Sequence, residues 1–515
     1  MDTTPNTNPL TKLKKINTGI PGLDTICHGG IPKGRTTLVA GTPGSAKTII
    51  GTQFVYSGIK QFNEPAVFVT FEEAPDDIKS NVRSFGWELE MFESTDKLVF
   101  IDVSVDPSTP HTEAGNYDFT ALISRVEYAI KKINAKRVCI DSIATLFSQF
   151  HNSGTVRHEM RRLEQSLKQL QVTTIITCER LTEYGDISRD RVEEFVSDNV
   201  ILLRNVLDNE HRRRTIEILK LRGTSHQKGE FPFSVSTQGV EILPLSAIRL
   251  PQLPPEPRVS SGNIELDKMC GGGFFQDSII LCSGATGTGK SLTVSTFLNA
   301  GCVRGERVLL FSFKESREQL CSLARNWGMD FEQWEKDKLL KIVCLYPEAQ
   351  SIEDHLIRLR NEIKAFSPKR LAFDCLSAME RICSQKSFRE FTIALTSLIK
   401  SNDLIAFFAS NADSLVGGSF SLHNHFATIV DTIILLRYVE VRGEMRRGLM
   451  ILKMRGSAHD KSIREYIVTD KGLTIGSTFE NISGIFSDAP IQLPSAEHDR
   501  LNQLFEPSVN GNSDE

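Results

Sequence analysis

Residues 278–291 read SIILCSGATGTGKS and end in a complete G-x-x-x-x-G-K-S/T motif, the pattern of a phosphate-binding P-loop. The motif follows an apolar segment and precedes one with helical spacing, as a strand–loop–helix unit requires. Its glycines allow backbone N–H groups to turn toward phosphate oxygens, and its lysine and serine can reach the β/γ-phosphates and a Mg²⁺ ion. The residues predicted to bind nucleotide in this loop are Thr286, Gly287, Thr288, Gly289, Lys290 and Ser291.

The chain contains this unit twice. Residues 28–48, HGGIPKGRTTLVAGTPGSAKT, match residues 270–291, and four further blocks recur in the same order in both halves. Paired blocks about half a chain apart indicate two copies of one domain rather than a short-period solenoid. Prolines crowded between residues 251 and 257 predict an extended, semi-rigid connector. The predicted organisation is a flexible tail at 1–15, a first domain at 16–246, a Pro-rich linker at 247–261, a second domain at 262–484 and a flexible tail at 485–515.

Short β-branched runs alternate with longer segments of helical spacing in each half. Residues 36–41, 66–71 and 137–141 are such runs, and residues 121–133 have an apolar period near that of a helix. This alternation predicts an α/β fold of two tandem RecA-like P-loop domains, each with a mainly parallel sheet and helices on both faces. Near the end of each half, two more strand patterns predict a C-terminal antiparallel hairpin, with its tip at LDNEHRR in the first copy.

The first P-loop departs from the pattern at one position, because Ala46 replaces the last glycine. A methyl group there restricts positive φ and crowds the phosphate, but the lysine, the hydroxyl and the helix N-terminus remain. We therefore expect this loop to bind nucleotide with an altered rate or affinity. Its predicted nucleotide contacts are Gly41, Thr42, Pro43, Gly44, Ser45, Ala46, Lys47 and Thr48.

Two aspartates are the candidate metal-binding acids. Asp141 and Asp374 each end an apolar strand, at matching positions relative to the two P-loops. Together with the P-loop hydroxyls of Thr48 and Ser291, they are predicted to hold Mg²⁺. The alternative is that each strand-end aspartate simply caps a helix.

Glu72 and Glu73 are the candidate catalytic acids of the first copy, one activating water and the other supporting it. They follow the strand at 66–71, whose carboxyl end faces the ligand crevice in an open α/β sheet. The alternative is that they are ordinary charges at the start of a helix. The second copy reads Lys314 and Glu315, so Glu315 is its only candidate catalytic acid and this site is expected to react differently.

A K-L/M-R-G-T/S-x-H motif near the end of each half carries two cations two residues apart. Residues with this spacing in a strand share a face, so the two cations should point together. Such a pair suits the triphosphate of a neighbouring subunit and predicts a ring, whereas the alternative is a solvent-facing strand edge. The motif histidines are either nucleotide contacts or structural residues. The cations and histidines are Lys220, Arg222 and His226 in the first copy and Lys453, Arg455 and His459 in the second.

The net charge, the cysteine pattern and the distribution of apolar residues argue against several classes of protein. The net charge of −4 argues against a protein that mainly coats nucleic acid, so nucleic acid is not an expected partner. The ten cysteines are scattered without a CxxC pair, as expected of reduced, buried thiols. The N-terminus has no apolar core, and no segment reaches the roughly 18 apolar residues of a membrane span. These features predict a soluble, cytoplasmic protein without a signal peptide.

The paired blocks resemble the KaiC family of circadian clock ATPases over residues 15–480. The resemblance rests on GTPGSAKT, FVTFEEAP and KLRGTSHQKGE in the first half and on GATGTGKS, WGMDFE and KMRGSAHDK in the second. It implies a double-ring homohexamer with ATP at subunit interfaces and slow ATP hydrolysis in the first ring. In the second ring it implies ATPase, autokinase and autophosphatase chemistry on a Ser-Thr pair. Partners resembling KaiB and KaiA are implied too.

The resemblance also assigns site residues by position. It makes Glu72 and Glu73 the catalytic acids of the first ring. The nucleotide contacts implied in the first ring are Ser84, Lys220, Leu221, Arg222, Thr224 and His226. Those implied in the second ring are Trp327, Arg447, Lys453, Met454, Arg455, Ser457, His459 and Lys461.

Three departures distinguish this chain from the family pattern. Ala427 stands where the family has its phosphorylated serine, so autophosphorylation is expected at Thr428 alone and to be weak. Lys314 replaces the preferred catalytic carboxylate of the second ring. The tail after residue 485 shows no clear family signal, which argues against a KaiA-like partner. These departures predict a divergent paralog rather than the standard oscillator protein.

Two other functions fit parts of the sequence. A DNA-dependent RecA-family motor is favoured by the basic run at 212–214, although a solvated turn is the commoner meaning of such a run at a predicted hairpin tip. An ATP-bound, non-catalytic switch is favoured by Ala46 and Lys314. Stimulation of ATPase activity by single-stranded DNA would favour the motor, and an absence of turnover would favour the switch.

Overall fold

The computed structural model describes residues 13–103, 119–143, 153–187, 197–208, 211–244, 257–411, 424–441, 443–470, 472–479, 482–483 and 491–492. The chain divides into two compact units, Met1–Ile248 and Arg249–Glu515. This division falls inside the predicted Pro-rich linker. Near the end of that linker, Arg258–Val259 forms a strand that pairs with Phe274–Phe275, so ordered structure in the second unit begins before residue 262.

Over its described residues, the first unit contains helices α1–α6 and strands β1–β11, with a 3₁₀ turn at Arg83–Phe85. The helices are Leu23–Ile26, Lys47–Phe62, Pro75–Val82, Leu89–Ser94, Phe119–Ile133 and Ser153–Gln169. The strands are Lys15–Ile16, Ile31–Pro32, Thr36–Gly41, Ala66–Thr70, Leu98–Asp102, Arg137–Asp141, Thr173–Glu179, Asn199–Asp208, His211–Leu221, Glu230–Ser236 and Gly239–Ile242.

Strand β3 is the centre of a nine-stranded sheet with the order β11-β10-β9-β8-β3-β7-β6-β4-β5. The strands from β8 to β5 run parallel, and β9, β10 and β11 are added antiparallel. β3 is buried along its whole length because helices cover both faces. Phe54 of α2 lies in the core on one face, and Val126 of α5 and Leu163 of α6 lie in the core on the other. The predicted α/β architecture is confirmed.

Within the part of the second unit that the structure describes, there are helices α7–α14 and strands β12–β24, with a 3₁₀ turn at Pro347–Ala349. The helices are Ile264–Met269, Lys290–Val303, Arg317–Asn326, Phe331–Lys336, Ile352–Phe366, Ser377–Glu380, Gln385–Ser401 and Asn424–Ile429. The strands are Arg258–Val259, Phe274–Phe275, Ile279–Gly284, Val308–Ser312, Leu340–Cys344, Arg370–Asp374, Ile405–Asn411, Thr432–Val441, Glu444–Met454, Arg464–Thr469, Gly472–Thr478, Ile482–Ser483 and Ile491–Gln492.

The second unit repeats the topology of the first. Its nine-stranded sheet has the order β22-β21-β20-β19-β14-β18-β17-β15-β16, which matches the first sheet strand for strand in chain order. The duplication read from the sequence is therefore a duplication of the fold. Among the helices of the described ranges, none is both long and apolar enough to cross a bilayer.

A buried arginine fixes the same contact in both units. Arg137 and Arg370 begin β6 and β17, and each donates from Nη1 to a helix carbonyl at 3.0 Å, that of Phe54 in the first unit and of Phe297 in the second. Each guanidinium also lies over the ring of the same phenylalanine, at 4.6 and 4.9 Å. Buried charge is tolerated only when it is paired and hydrogen-bonded. These arginines therefore clamp the P-loop helix to the sheet.

The hairpin of the first unit is longer than the sequence predicts. Strand β8 extends to Asp208 and β9 begins at His211, so the basic run at 212–214 lies in a strand and not at the tip. The prediction of a solvated turn is wrong for this run, because cross-strand pairing continues through it. Arg212, for example, donates from Nη1 to the carbonyl of Asn205 on the facing strand at 2.8 Å.

Candidate nucleotide sites

The first P-loop joins β3 to α2. Strand β3 ends at Gly41 and α2 begins at Lys47. Inside the loop, the Ser45 hydroxyl donates to the carbonyl of Thr42 at 2.7 Å and Lys47 Nζ donates to the same carbonyl at 3.0 Å. These bonds curl the loop around the first turn of α2, whose N–H groups have no partner within the helix and suit an anion.

Ala46 keeps the backbone conformation of the glycine that it replaces. Its φ is 70° and its ψ is 28°, which is the left-handed region. Gly289, at the same position of the second loop, has φ 93° and ψ 20°. The loop geometry therefore persists at the cost of a Cβ clash of about 1–2 kcal/mol.

Ala46→Gly is expected to raise the free energy of unfolding by about 0.5–1 kcal/mol, because glycine adopts this conformation without a Cβ penalty. Urea denaturation of the full chain without nucleotide measures the change. Ala74→Gly is the matched control, since Ala74 has a φ of −64° and glycine there only adds freedom to the unfolded chain. A loss of stability in Ala46→Gly as large as that in the control would contradict the prediction.

Asp141 lies beside this loop at the end of β6. It is buried and accepts hydrogen bonds from the hydroxyls of Thr48 and Thr177. Burial raises the pKa of Asp141, and these two hydroxyls oppose the shift. Over the residues that the structure describes, no group of three or more His, Cys, Asp or Glu side chains could hold a metal by itself. One hydroxyl and one carboxylate do match an Mg²⁺ ion that takes its other ligands from phosphate and water.

The two candidate catalytic acids follow β4, which ends at Thr70, one residue earlier than predicted. The N–H of Phe71 donates to the carbonyl of Asp141 at 2.9 Å and brings this segment beside β6. Glu73 is half-buried, and the side-chain amide of Asn81 donates to its Oε2 at 3.1 Å. Burial raises the pKa of Glu73, and the charge of Asp141 adds to the shift.

Glu72 is exposed and its charge acts on the P-loop lysine. Burial lowers the pKa of Lys47, and the carboxylates of Glu179, Asp141 and Glu72 oppose that shift. The same carboxylate of Glu72 acts on Asp141. The charge of Glu72 thus acts on the phosphate-binding lysine, whereas Asn81 holds Glu73.

Three residues that the sequence analysis did not assign cover the first P-loop. The carboxylate of Glu183 accepts from the Thr42 hydroxyl at 2.6 Å and from the backbone N–H of Asn205 at 3.0 Å. Arg214 donates from Nε to a carbonyl of the same loop at 3.2 Å. Arg214 could have been found, because it occupies the position of Arg447 in the second copy. Glu183 and Asn205 carry no motif. Glu183 follows β7 and Asn205 lies on β8, and each reaches the loop because its strand pairs with β3.

The second P-loop joins β14 to α8 in the same way. Lys290 Nζ donates to the carbonyls of Gly284 and Ala285 at 2.8 and 2.7 Å. The Thr288 hydroxyl also donates to the carbonyl of Ala285, at 2.7 Å. Burial lowers the pKa of Lys290. The loop is thus folded around its lysine as in the first unit.

The acids of the second site lie at the ends of β15 and β17, where Ser312 pairs with Asp374. Asp374 is buried and accepts from the Ser291 hydroxyl; burial raises its pKa and the hydroxyl opposes the shift. Burial also raises the pKa of Glu315, and Asp374 adds to that shift. Lys314 is exposed, and its positive charge acts against both shifts.

Arg447 lies beside the second P-loop. Its guanidinium is over the ring of Tyr438 at 5.6 Å, and its Nε has no hydrogen-bond partner among the described residues. The Tyr438 hydroxyl in turn lies against the loop, because a Cβ built on Gly287 would be 2.7 Å from it. Tyr438 therefore takes the place that Asn205 has in the first unit.

In each unit the P-loop lies at the edge of the sheet formed by the carboxyl ends of the parallel strands. The K-L/M-R-G motif lies toward the opposite edge, formed by their amino ends. In β8, Leu203 pairs with Gly41 of the P-loop strand, whereas Val200 pairs with Lys220. This register puts Lys220 about 10 Å farther toward the amino ends of the parallel strands. The second unit has the same arrangement along β19.

The motif cations make local contacts at that edge. Lys220 and Lys453 each donate from Nζ to a main-chain carbonyl just before the hairpin, at 2.7 Å. Arg222 is exposed, and its Nη1 lies 3.5 Å from the carboxylate of Asp198. Arg455 is exposed too and lies beside an equivalent aspartate. The cations of each motif thus lie together at a surface.

The other residues implied by the resemblance differ in accessibility. Leu221 and Met454 are buried, so only their backbone could reach a ligand. Ser84 is exposed in the 3₁₀ turn of the first unit and Lys461 is exposed in the second. Trp327 is half-buried against the core at the end of α9.

The motif histidines are half-buried in both units. Nδ1 of His226 and of His459 has no hydrogen-bond partner among the described residues, and burial lowers the pKa of His226. The Thr224 hydroxyl donates to the next carbonyl at 3.3 Å, and the Ser457 hydroxyl accepts from Arg258 at 2.5 Å.

The predicted phosphorylation site lies next to the second motif. Thr428 is exposed on α14, and Ala427 beside it is half-buried. The carbonyl of Ala427 accepts from Lys453 at 2.8 Å, and that of Thr428 accepts from Arg455. The helix that carries Thr428 is therefore held by the two motif cations.

A family model described as "ATPase: KaiC" matches residues 16–247 and again residues 259–480. The chain belongs to the KaiC family of ATPases. The two matched ranges correspond to the two units of the fold, so each unit is a KaiC-type ATP-binding ATPase domain.

Several curated KaiC proteins are similar over nearly the whole chain. The "Circadian clock protein KaiC3" of Synechocystis sp. is 51% identical over 498 residues, which cover 96% of this chain and 98% of the relative. The "Circadian clock oscillator protein KaiC" of Thermosynechococcus vestitus is 52% identical over 493 residues, covering 96% and 95%. That of Synechococcus elongatus is 51% identical over 503 residues, covering 98% and 97%. About half of the positions differ from each, as in a divergent KaiC paralog.

Proposed function

We propose that the chain is a Mg²⁺-dependent ATPase that works as a homohexameric ring with ATP bound between subunits. The observation that supports a ring is the register of each sheet, which separates the P-loop from the K-L/M-R-G cations of the same unit. Cations at the far edge of one copy can complete the P-loop of the next copy in a head-to-tail interface, and such interfaces close into rings. We assign the predicted P-loop and motif residues of both units to nucleotide binding in this ring.

In the first unit, Thr48 and Asp141 would hold Mg²⁺, which supplies charge neutralisation at the phosphates when bound. Lys47 binds the phosphates, and the backbone of the loop orients them. Glu72 accepts the proton of the attacking water, because it is the exposed carboxylate whose charge acts on Lys47. Glu73 supports that segment through Asn81. In the second unit, Ser291 and Asp374 would hold Mg²⁺ in the same way. Glu315 is its candidate base, although it aligns with Glu73, because Lys314 stands at the position of Glu72.

The ring is tested by size-exclusion chromatography with light scattering, with and without Mg-ATP, followed by phosphate release on the same sample. We expect a six-subunit particle that forms in Mg-ATP and releases phosphate slowly. A chain that stays single in Mg-ATP and binds no nucleotide would refute the proposal. A ring that binds ATP without turnover would favour the alternative of an ATP-bound switch. The observation behind this alternative is Lys314, which replaces a candidate catalytic carboxylate in the second unit.

Autophosphorylation is expected at Thr428 and to be weak, because Ala427 has no hydroxyl and Lys314 cannot accept a proton from the attacking threonine. Mass spectrometry after incubation with Mg-ATP measures the modified positions. Thr428→Ala is the control and should remove the phosphate signal from the second unit. Phosphate found mainly at another residue would contradict this prediction.

The cellular setting follows from the family as part of the same proposal. We infer a role in or beside a circadian timing system, in the cytoplasm, with a KaiB-like partner. The tail that would meet a KaiA-like partner lies after residue 485, largely outside the described residues, and its sequence argues against that partner. A DNA-dependent motor is less favoured, because Arg212 and Arg214 contact the protein's own hairpin and P-loop.

A further inference from the structure

The two nucleotide sites can be compared position by position, because their strands share one register. Gly41 pairs with Glu179 in the first sheet, and Gly284 pairs with Asn411 in the second. Thr70 pairs with Asp141 in the same way that Ser312 pairs with Asp374. Each charged position of the first site has a counterpart in the second. Lys290 corresponds to Lys47, Asp374 to Asp141, Lys314 to Glu72, Glu315 to Glu73 and Asn411 to Glu179.

The first site is strongly acidic without its ligands. Lys47 stands among the carboxylates of Glu179, Asp141 and Glu72, and Glu73 lies next to Asp141. At the five aligned positions, one lysine against four carboxylates gives a formal charge of −3 when every group is ionised, and the opposite charges of Glu183 and Arg214 on the same loop cancel each other. A polyanion that enters this site meets net repulsion until a divalent cation neutralises part of the charge.

The second site is balanced. Asn411 carries no charge, and Lys314 is a cation where the first site has a carboxylate. At the same five positions, two lysines against the carboxylates of Asp374 and Glu315 give a formal charge of zero, and Arg447 adds a positive charge beside the loop. Lys314 is close enough for its charge to act on both Lys290 and Asp374. An exposed, flexible ammonium at this place can therefore reach an anion bound at the P-loop.

We propose that the second nucleotide site binds ATP without a divalent cation, with the Lys314 ammonium in the charge-neutralising role, whereas the first site requires Mg²⁺. This inference rests on the proposed function, since it assumes that both P-loops bind ATP. It gives the two halves of the chain different tasks: the first site responds to the availability of Mg²⁺, and the second retains ATP when Mg²⁺ is scarce.

The test uses the full chain with one site disabled at a time. Lys47→Ala leaves the second site, and Lys290→Ala leaves the first. Each variant is titrated with an ATP that carries a fluorophore on its ribose, at constant ionic strength, in excess Mg²⁺ and then in EDTA. For the second site we expect the Kd for ATP to rise less than about 10-fold when Mg²⁺ is chelated. For the first site we expect the Kd to rise on the order of 100-fold or more, because interactions between unit charges at short range have this size.

Charge substitutions at Lys314 then assign the effect to this side chain. In the Lys47→Ala background, Lys314→Glu should make the second site as Mg²⁺-dependent as the first, and Lys314→Met should give an intermediate dependence. Lys314 is exposed, so neither substitution disturbs the core. Equal loss of affinity at both sites in EDTA, or no effect of Lys314→Glu, would overturn the inference. Failure of either single-site variant to bind in excess Mg²⁺ would instead count against the proposed function.

Discussion

Replacing Lys220 and Arg222 together with alanine is expected to slow phosphate release at the first site by about 10³-fold or more, the loss typical when a cation on the transferred phosphoryl group is removed. The reason is positional, because these cations lie at the sheet edge opposite to their own P-loop and would serve the next subunit. Phosphate release is measured in a Lys290→Ala background, so that only the first site turns over. Nucleotide binding is measured beside it.

Mixing two inactive variants shows whether the motif cations act on the P-loop of a neighbouring subunit or on that of their own chain. Lys47→Ala subunits lack a working P-loop but keep the motif cations, and the Lys220→Ala, Arg222→Ala subunits have the reverse. In randomly mixed rings, roughly a quarter of the head-to-tail interfaces join an intact P-loop to intact cations. We therefore expect up to that share of activity to return. No recovery, in rings shown to be mixed by co-purification of two tags, would mean that the cations act within their own chain.

A local control is available for this prediction. Arg222 and Lys168 both lie near the carboxylate of Asp198, at 3.5 and 3.7 Å. Lys168→Ala removes a cation from the same carboxylate without touching the motif, so it should leave turnover within a factor of about two, as for exposed ion pairs of little energetic weight. Equal losses in Lys168→Ala and the motif variant would indicate that Asp198, and not the neighbouring phosphate, explains the effect.

The fold could be predicted because its signals are local and occur twice. The P-loop at Lys290, the buried strand before it and the helix after it are one continuous stretch, and the first half repeats the stretch with its spacing. The repeat strengthens patterns that are weak when they occur once. Asp141 or Asp374 alone could be a helix cap, but both stand at the same place relative to a P-loop. Chain order then left few arrangements for the sheet.

The lining of the sites was harder to predict because it comes from long-range pairing. Glu183 and Asn205 reach the P-loop from β8 and the segment before it, more than 130 residues away along the chain. Arg214 was assigned to a solvated turn because its charge pattern resembles a hairpin tip, although cross-strand hydrogen bonds extend the hairpin through it. No spacing rule could show that Glu72 and Glu73 differ in environment.

That difference between the two glutamates leads to the second large effect. Glu72→Gln is expected to slow phosphate release at the first site by about 10²–10⁴-fold, the contribution of a positioned general base. Glu72 is exposed and its charge acts on Lys47, so a water attacking the bound phosphate would lie within its reach. Single-turnover phosphate release in the Lys290→Ala background measures the chemical step, and ATP binding should be unchanged because glutamine keeps the size of the side chain.

Glu73→Gln is the matched control for this assignment. Asn81 already donates to its carboxylate, and an amide oxygen can accept the same bond, so the segment should keep its position. We expect a loss of less than about 10-fold, well below the effect of removing a general base. A larger loss in Glu73→Gln than in Glu72→Gln would reverse the two roles and make the half-buried carboxylate, whose pKa burial raises, the base. In that case turnover should also fall as the pH decreases through this raised pKa, because only the ionised form accepts a proton.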